Sequence, residues 1–331
     1  MNRFVVLRFP LFLFSAVLLL PPLAQAQWIK GEEPIMGTSV RVELWHEDRA
    51  RGEAAVAAVM AEMHRIDKLM SPFIAQSELS HINQSAADHP VVVSRELLDL
   101  IKRSLEFSVK TSGSFDITFA SAGFLYDYRR AIKPTEQMLE TALPAIDYRH
   151  VIVDDKQSTV SFTRQGVIID LGGIAKGHAV DQSIAILRNL GIEQALVSAG
   201  GDSRILGDKR GRPWMIGVRD PRNEEGTIVA IPLTDSAIST SGDYERYFEL
   251  NGVRYHHILS PVTGKSVKST RSVSILGPNA TTTDALSTSV FVLGPKRGLA
   301  LIESLPGIEA VIVDKKGRVR FSSGLNDVSA Q

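Results

Sequence analysis

Hairpin signals stand beside helical stretches in this chain with no regular strand–helix–strand alternation, and that mixture restricts the fold more than any other feature. Val151–Val153 and Val160–Phe162 flank a polar turn, Glu249–Arg254 carries an Asn251-Gly252 pair, and Val311–Val313 and Val319–Phe321 flank Lys316-Gly317. Asn-Gly suits the positive φ angles of a tight hairpin turn. Between such signals lie helical periods. Residues 50–70 place Val56, Val59, Met63, Ile66 and Met70 at spacings of 3 and 4, an apolar stripe on one helix face. Ser94 can cap a second helix with Leu97, Ile101 and Leu105 inward. Val180, Ile184 and Leu187 define a third that Gly191 closes, and Thr281 to Leu293 reads as a fourth ended by Gly294. Residues 35–45 read as an opening strand after a Met36-Gly37-Thr38 turn; Val167–Leu171 reads as a short buried strand, and Leu196–Ser198 and Trp214–Val218 as further ones. Doubly wound parallel sheets need a crossover helix after each strand, so the pattern favours an α+β fold with mixed or antiparallel sheets and packed helices. The helical stretch 45–150 reads as a lobe inside a β-rich remainder, with no linker or repeat to divide the chain.

Composition narrows the chemistry. The 331 residues hold 37 Lys and Arg against 37 Asp and Glu, and 44% are hydrophobic, enough for a sizeable core. A balanced charge supplies no basic excess for nucleic acid, and no such partner is expected. There is no cysteine, which removes disulfides, thiolate metal sites and cysteine nucleophiles together. Residues 1–26 read as a cleaved secretory signal: Arg3 and Arg8, an apolar run from Leu11 to Leu20, Pro21-Pro22, then Ala24-Gln25-Ala26. The run is shorter than the roughly 20 residues that span a bilayer. The expectation is a soluble periplasmic protein of residues 27–331, held at the inner membrane only if the signal stays uncleaved.

Four segments carry chemistry. In Asp170-Leu-Gly-Gly-Ile-Ala-Lys176-Gly177-His178-Ala-Val-Asp181, an apolar run ends in a carboxylate, two glycines permit a turn, and a helix begins near Lys176. That suits an anion at a helix N-terminus, or equally a structural strand-to-helix turn. It matches neither the P-loop spacing nor G-x-G-x-x-G. Asp284 and Thr288 share one helix face and offer hard oxygen ligands for Mg²⁺ or Ca²⁺, or else a cap and a buried hydroxyl. Ser239–Tyr244 is a hydroxyl-rich stretch suited to phosphate, sugar or a surface turn. His256-His257 offers a general base or a structural imidazole. A G-x-S-x-G elbow and an H-E-x-x-H motif are both absent.

Taken in order, nine segments resemble the ApbE family of FAD:protein FMN transferases. They are Met36-Gly37-Thr38; Met70–Phe73 with Ser77–Ser80 and Asn83; Ser114–Thr118; Asp170–Asp181; Leu196–Asp202; Trp214–Pro221; Ser239–Arg246; His256–Gly264; and Thr283–Thr288. The resemblance implies a two-lobed α+β fold with the FAD site between the lobes. It implies a Mg²⁺-dependent reaction (Mn²⁺ or Ca²⁺ being alternatives) in which FAD, as substrate, is cut. FMN passes through a phosphoester to a Thr or Ser of an acceptor protein, and AMP leaves. By family position, Met36, Phe73, Ser114, Phe115, Asp116, Asp170, Lys176 and Ile258 would line the FAD site. Asp284, Thr288 and the Gly173 carbonyl would bind the metal. His257 is the candidate base for the acceptor hydroxyl, with Asp284 its competitor. The same residues would also serve a Mg²⁺-dependent FAD pyrophosphatase, and a non-catalytic FAD-binding protein is the third alternative.

Four positions depart from the usual pattern: Phe73 and His178 stand where tyrosine is common, Ser287 where many members have aspartate, and Ser260-Pro261-Val262 where Asp-Pro-Arg is usual. Family acceptors carry an Asp-Gly-x-Ser/Thr motif, and this chain has no Asp-Gly pair. The acceptor is therefore expected to be another polypeptide, an exported redox protein or a membrane electron-transfer subunit.

Overall fold

Met36 and Gly37 both take positive φ (54° and 70°), the geometry of a two-residue hairpin turn. They join β1 (Gln27–Ile35) to β2 (Thr38–His46). β2 matches the expected opening strand. β1 was not foreseen, because Lys30, Glu32, Glu33 and Pro34 give it the composition of a loop. These charges and the proline suit the position it occupies, an edge strand of the main sheet. The computed structural model describes residues 27–325, so the expected signal, residues 1–26, lies outside the described residues.

The chain continues through α1 (Arg49–Met70), α2 (Glu78–Ser85), β3 (Val91–Val92), α3 (Arg95–Lys110), α4 (Ala120–Gly123) and α5 (Glu136–Ala142). The hairpin of β4 (Val151–Asp154) and β5 (Thr159–Phe162) follows, then α6 (Ala175–Asn189), β6 (Ala195–Ala199) and β7 (Asp202–Leu206). Next come β8 (Trp214–Asp220), β9 (Asn223–Leu233), β10 (Ala237–Gly242), β11 (Tyr247–Leu250), β12 (Val253–His256) and β13 (Thr270–Gly277). The last elements are α7 (Ala280–Glu303), β14 (Glu309–Asp314) and β15 (Val319–Phe321). Eight strands form one antiparallel sheet in the order β1-β2-β6-β7-β10-β13-β14-β15. The fold is α+β, as the mixed pattern implies.

Strand alternation sorts side chains between two cores. Leu206, Ala237, Ala310 and Ile312 face the helices, while their neighbours Ile205, Ile238 and Val311 face the β8–β9 hairpin. The helix side is the larger core. Val59, Met63, Ile66 and Met70 of α1 are buried there with Val40, Val42 and Leu44 of β2, each contributing about 1.5–3 kcal/mol by leaving water. Leu79, Ile82, Leu97, Leu98 and Ile101 extend it, so the helical residues 45–150 and the sheet share one core.

Two expectations need correction. Val167–Leu171 is extended and buried, but it pairs with no strand. Side chains take the place of the missing ladder. Asn83 accepts from the Ile169 N–H (2.8 Å) and donates to the Ile169 carbonyl (2.9 Å), Ser121 Oγ accepts from the Ile168 N–H (3.0 Å), and Asp170 N–H donates to the Ile117 carbonyl (3.0 Å). Asn83→Ala is expected to orphan two backbone groups of a fully buried residue and cost about 2–4 kcal/mol, read from the midpoint of denaturant unfolding. The second correction concerns α7. Gly294 (φ 78°) does break the helix, but Pro295 opens a further helical segment to Glu303, as proline at a first helical position permits.

Candidate active site

Asp170 ends the extended segment, and its carboxylate accepts the Gly172 N–H at 2.5 Å, turning the chain. Leu171 then accepts from the Ile174 and Ala175 amides, and α6 begins. Gly173 is wedged in this turn: a Cβ there would stand 3.2 Å from Thr288 Oγ1 and 3.3 Å from the Phe115 ring. Helix α6 has no side-chain cap of its own. The Gly177 N–H is instead satisfied from α7, by Asp284 Oδ2 at 3.0 Å. Only glycine allows this approach, because a Cβ at position 177 would meet the Ala280 carbonyl oxygen at 2.3 Å.

Lys176 projects into the same cluster. Its Nζ lies 2.9 Å from the Gly172 carbonyl, 2.9 Å from Asp202 Oδ2 and 3.5 Å from Asp284 Oδ2. Three oxygens match its three protons, so Lys176 orders the loop and the two carboxylates. A Gly200-Gly201 turn between β6 and β7 delivers Asp202 to the cluster. A Cβ at Gly201 would come within 2.4 Å of the Thr240 carbonyl, so the turn sits directly against β10. Asp202 and Asp284 are both buried and share one ammonium. Burial, then the Asp202 charge, push the Asp284 carboxyl above its ordinary range, against the pull of Lys176 and the Gly177 N–H. Burial opposes the Lys176 charge, yet Asp202 and Asp284 outweigh it and raise its pKa. One turn along α7, Thr288 Oγ1 lies 3.4 Å from Ser241 Oγ, and Ser241 pairs with Ser287 at 2.8 Å.

His257 follows β12. Its Nδ1 faces the Arg246 carbonyl at 3.3 Å, and its N–H donates to the same oxygen at 3.1 Å. Burial, then the charges of Arg246 and His256, push the imidazole well below 6.5, so it is neutral at physiological pH. The Lys176 charge acts on both His257 and Asp170, as does that of Arg246. Arg246 Nη2 lies 3.8 Å from where a Gly37 Cβ would be, which brings the Met36-Gly37 turn to the same neighbourhood. Asp170 itself is raised, by burial.

The remaining expected residues lie at varied depths. Phe115 is buried and meets Phe107 edge-on at 6.1 Å between centroids. Ser114 is half-buried beside it. Asp116 spends its carboxylate on the protein, accepting from Thr118 N–H (2.9 Å), Thr118 Oγ1 (2.6 Å) and Tyr148 N–H (2.9 Å). Burial raises its pKa. Phe73 is 74% exposed and tilts against Phe124 at 5.7 Å, an apolar pair at the surface. Ile258 is buried and bonds to Val267. The structure thus gathers Gly173, Lys176, Asp284, Thr288 and Phe115 by contact. Asp170 and His257 both feel the Lys176 and Arg246 charges, and the Asp116 carboxylate is held by Thr118 and Tyr148.

Residues 36–312 match the ApbE family. The chain belongs to the ApbE family. It is 35% identical over 314 residues to an FAD:protein FMN transferase of Treponema pallidum, covering 89% of this chain and 87% of that protein. A Vibrio cholerae FAD:protein FMN transferase is 32% identical over 290 residues, with 84% and 85% covered. Among solved structures, the ApbE protein of Thermotoga maritima superposes with a TM-score of 0.85 at 37% identity, covering 92% of this chain and all of that one. The flavin transferase ApbE of Vibrio cholerae gives 0.82 at 28% identity, with 92% and 99% covered.

Within this ApbE fold, two charged residues had no role in the sequence reading. Asp202 completes the Lys176 cluster; the signal was a carboxylate directly after Gly200-Gly201 at a strand end. Arg246, the last residue of the Ser239–Arg246 segment, is exposed, with no ion pair from its guanidinium among the described residues. The departures from the ApbE pattern also find places. Ser287 donates to the Asp284 carbonyl (2.9 Å) and pairs with Ser241, filling with hydroxyls a position where a second carboxylate would add charge. His178 turns away from the cluster to Glu96 on α3 (2.9 Å).

Proposed function

We propose that the protein is an FAD:protein FMN transferase that joins FMN to a Thr or Ser of a separate acceptor polypeptide and releases AMP. Membership of the ApbE family supports the reaction class. The single structural observation that carries the proposal is the buried Lys176–Asp202–Asp284 cluster under the Gly172-Gly173 turn. Two buried carboxylates facing one ammonium leave an excess negative charge, which a further cation would offset. Asp284 and Thr288 with the Gly173 backbone are a hard oxygen set of the kind Mg²⁺ takes. Those three residues would hold the metal, and bound there it would neutralise charge on the phosphates of FAD.

The chain's own groups then divide the work. Lys176 bridges Asp284 and Asp202 and fixes the glycine turn. His257, kept neutral, takes the proton as the acceptor hydroxyl oxygen bonds to the FMN phosphorus and the bond to the AMP oxygen breaks. Arg246 supplies a positive charge that acts on His257 and Asp170. Under this proposal residues 1–26 export the enzyme, and its acceptor is an exported or outward-facing redox protein.

The test is intact-mass analysis of an acceptor domain bearing the Asp-Gly-x-Ser/Thr motif after incubation with the enzyme, FAD and Mg²⁺. A chelator-sensitive gain of one FMN with AMP release is the expected result. FMN and AMP free in solution, with no mass gain, would replace the transferase with a pyrophosphatase. His257→Ala is expected to leave FAD affinity within about threefold and to slow single-turnover transfer about 10²–10⁴-fold, the range for a lost general base.

A further inference from the structure

We propose that Asp181 is a positioning residue for flavin transfer, setting the placement of Asp284 from one turn away along the α6–α7 contact. The inference rests on the transferase reading above and concerns how the reactive cluster is held.

Helices α6 and α7 cap each other. Asp284 of α7 accepts from Gly177 at the start of α6, where Ile174 occupies the cap position and offers no side-chain acceptor. In return, Asp181 of α6 covers the start of α7. Its Oδ1 accepts the Ala280 N–H at 2.9 Å, and its Oδ2 accepts the Thr281 N–H at 2.8 Å and the Thr281 hydroxyl at 2.6 Å. The helix's own cap, Asn279, serves only Thr282 (2.9 Å). Without Asp181, two first-turn amides lose their partner.

Asp181 also reaches the third arm of the cluster. Arg204 Nη1 donates to Asp181 Oδ1 at 2.9 Å, and both side chains are largely buried. Arg204 lies on β7, two residues beyond Asp202. One carboxylate therefore ties together the elements that carry Lys176, Asp202 and Asp284. Gly177 and Asp181 are four apart and share a face of α6. The first grips Asp284, and the second grips α7 one turn earlier. Because the backbones approach so closely at Gly177, a small shift of α7 along α6 is transmitted directly to the Asp284 carboxylate.

The experiment compares wild type, Asp181→Ala, Asp181→Asn and Ser94→Ala. Ser94 caps α3 through the Leu97 N–H and bonds none of Lys176, Asp202 and Asp284, so its removal controls for the loss of a helix cap as such. FMN transfer is measured well below every melting temperature, with kcat and the KM for FAD separated. FAD binding is measured in chelator by flavin fluorescence. The expected result is a kcat loss of about tenfold or more in Asp181→Ala, with KM and chelator-phase affinity within about threefold of wild type. Asp181→Asn, which keeps an acceptor oxygen, should fall between, and Ser94→Ala should keep kcat within about twofold at a comparable drop in Tm. If Asp181→Ala fails to fold, Asp181→Asn decides. A kcat loss no larger than that of Ser94→Ala, or a loss confined to KM, overturns the proposal. Failure of wild type to transfer FMN overturns the transferase reading instead.

Discussion

Asp284→Asn should abolish flavin transfer while leaving the protein at least as stable as the wild type. The amide keeps an acceptor oxygen for the Gly177 N–H, so the cap on α6 survives. What disappears is one of two buried negative charges that face a single ammonium. In the resting protein that second charge is a liability: burial and Asp202 both disfavour it. Its removal leaves Lys176 and Asp202 as a balanced pair, so Tm should hold or rise. In the reaction the same charge is the one ionised side chain among the proposed metal ligands. Its loss should cost about a thousandfold or more in single-turnover FMN transfer, the scale of a lost electrostatic stabiliser of the transition state. Calorimetry beside the mass assay checks both halves. A variant that loses activity and stability together would show that Asp284 serves the fold rather than the chemistry.

Gly177→Ala should fail in the opposite manner, by harming both. The added carbon would meet the Ala280 carbonyl oxygen at 2.3 Å and carbon at 2.6 Å, and Asp284 Cβ at 2.9 Å. Two of these are backbone atoms, so no side-chain rotation relieves the clash and the helices must separate. Overpacking of this kind costs about 1–3 kcal/mol. Here it acts at the point where Asp284 meets α6, so transfer should fall about a hundredfold or more as the cluster opens. Gly191→Ala is the comparison. Gly191 has no atom within 4 Å of an added Cβ, and only its φ of 77° opposes substitution. It should cost about 1 kcal/mol and leave transfer rates unchanged.

The helices of this protein were readable where one apolar stripe faces the core. In α1, Val59, Met63, Ile66 and Met70 are buried as the period implies and Val56 is half-buried against the same core, and Ser94 caps α3 as expected. Gly191 closes α6 with its N–H on Arg188 and that of Ile192 on Leu187, the motif its position suggests. Hairpins with a short turn signal were equally plain, as at Asn251 and Gly252, both with positive φ. The sequence misled where polar side chains do work usually done by strands or apolar residues. β13 is almost wholly buried yet reads as Thr270-Arg-Ser-Val-Ser-Ile-Leu-Gly277. Two of its hydroxyls find partners inside: Ser274 bonds Thr240, and Thr270 bonds the Phe291 carbonyl. The Val167–Leu171 segment failed for the converse reason, having a strand's composition but Asn83 and Ser121 as partners. At the site, Asp284 and Thr288 were visible as an i,i+4 pair. The link of Asp284 to Lys176, and the whole role of Asp202, depend on segments far apart in the chain that no local pattern records.

The mutual capping of α6 and α7 has a consequence for the order in which this protein can come into being. Gly177 and Asp284 are 107 positions apart, and Asp181 and Thr281 are 100 apart. Neither helix start is complete until the eight strands between them have been made and threaded into place. Contacts of such long range are slow to form. A newly synthesised chain should therefore acquire its helices and hairpins well before it can act on a flavin. Recovered transfer activity should trail recovered circular dichroism during refolding. Enzymatic competence would then mark the last closure of the chain.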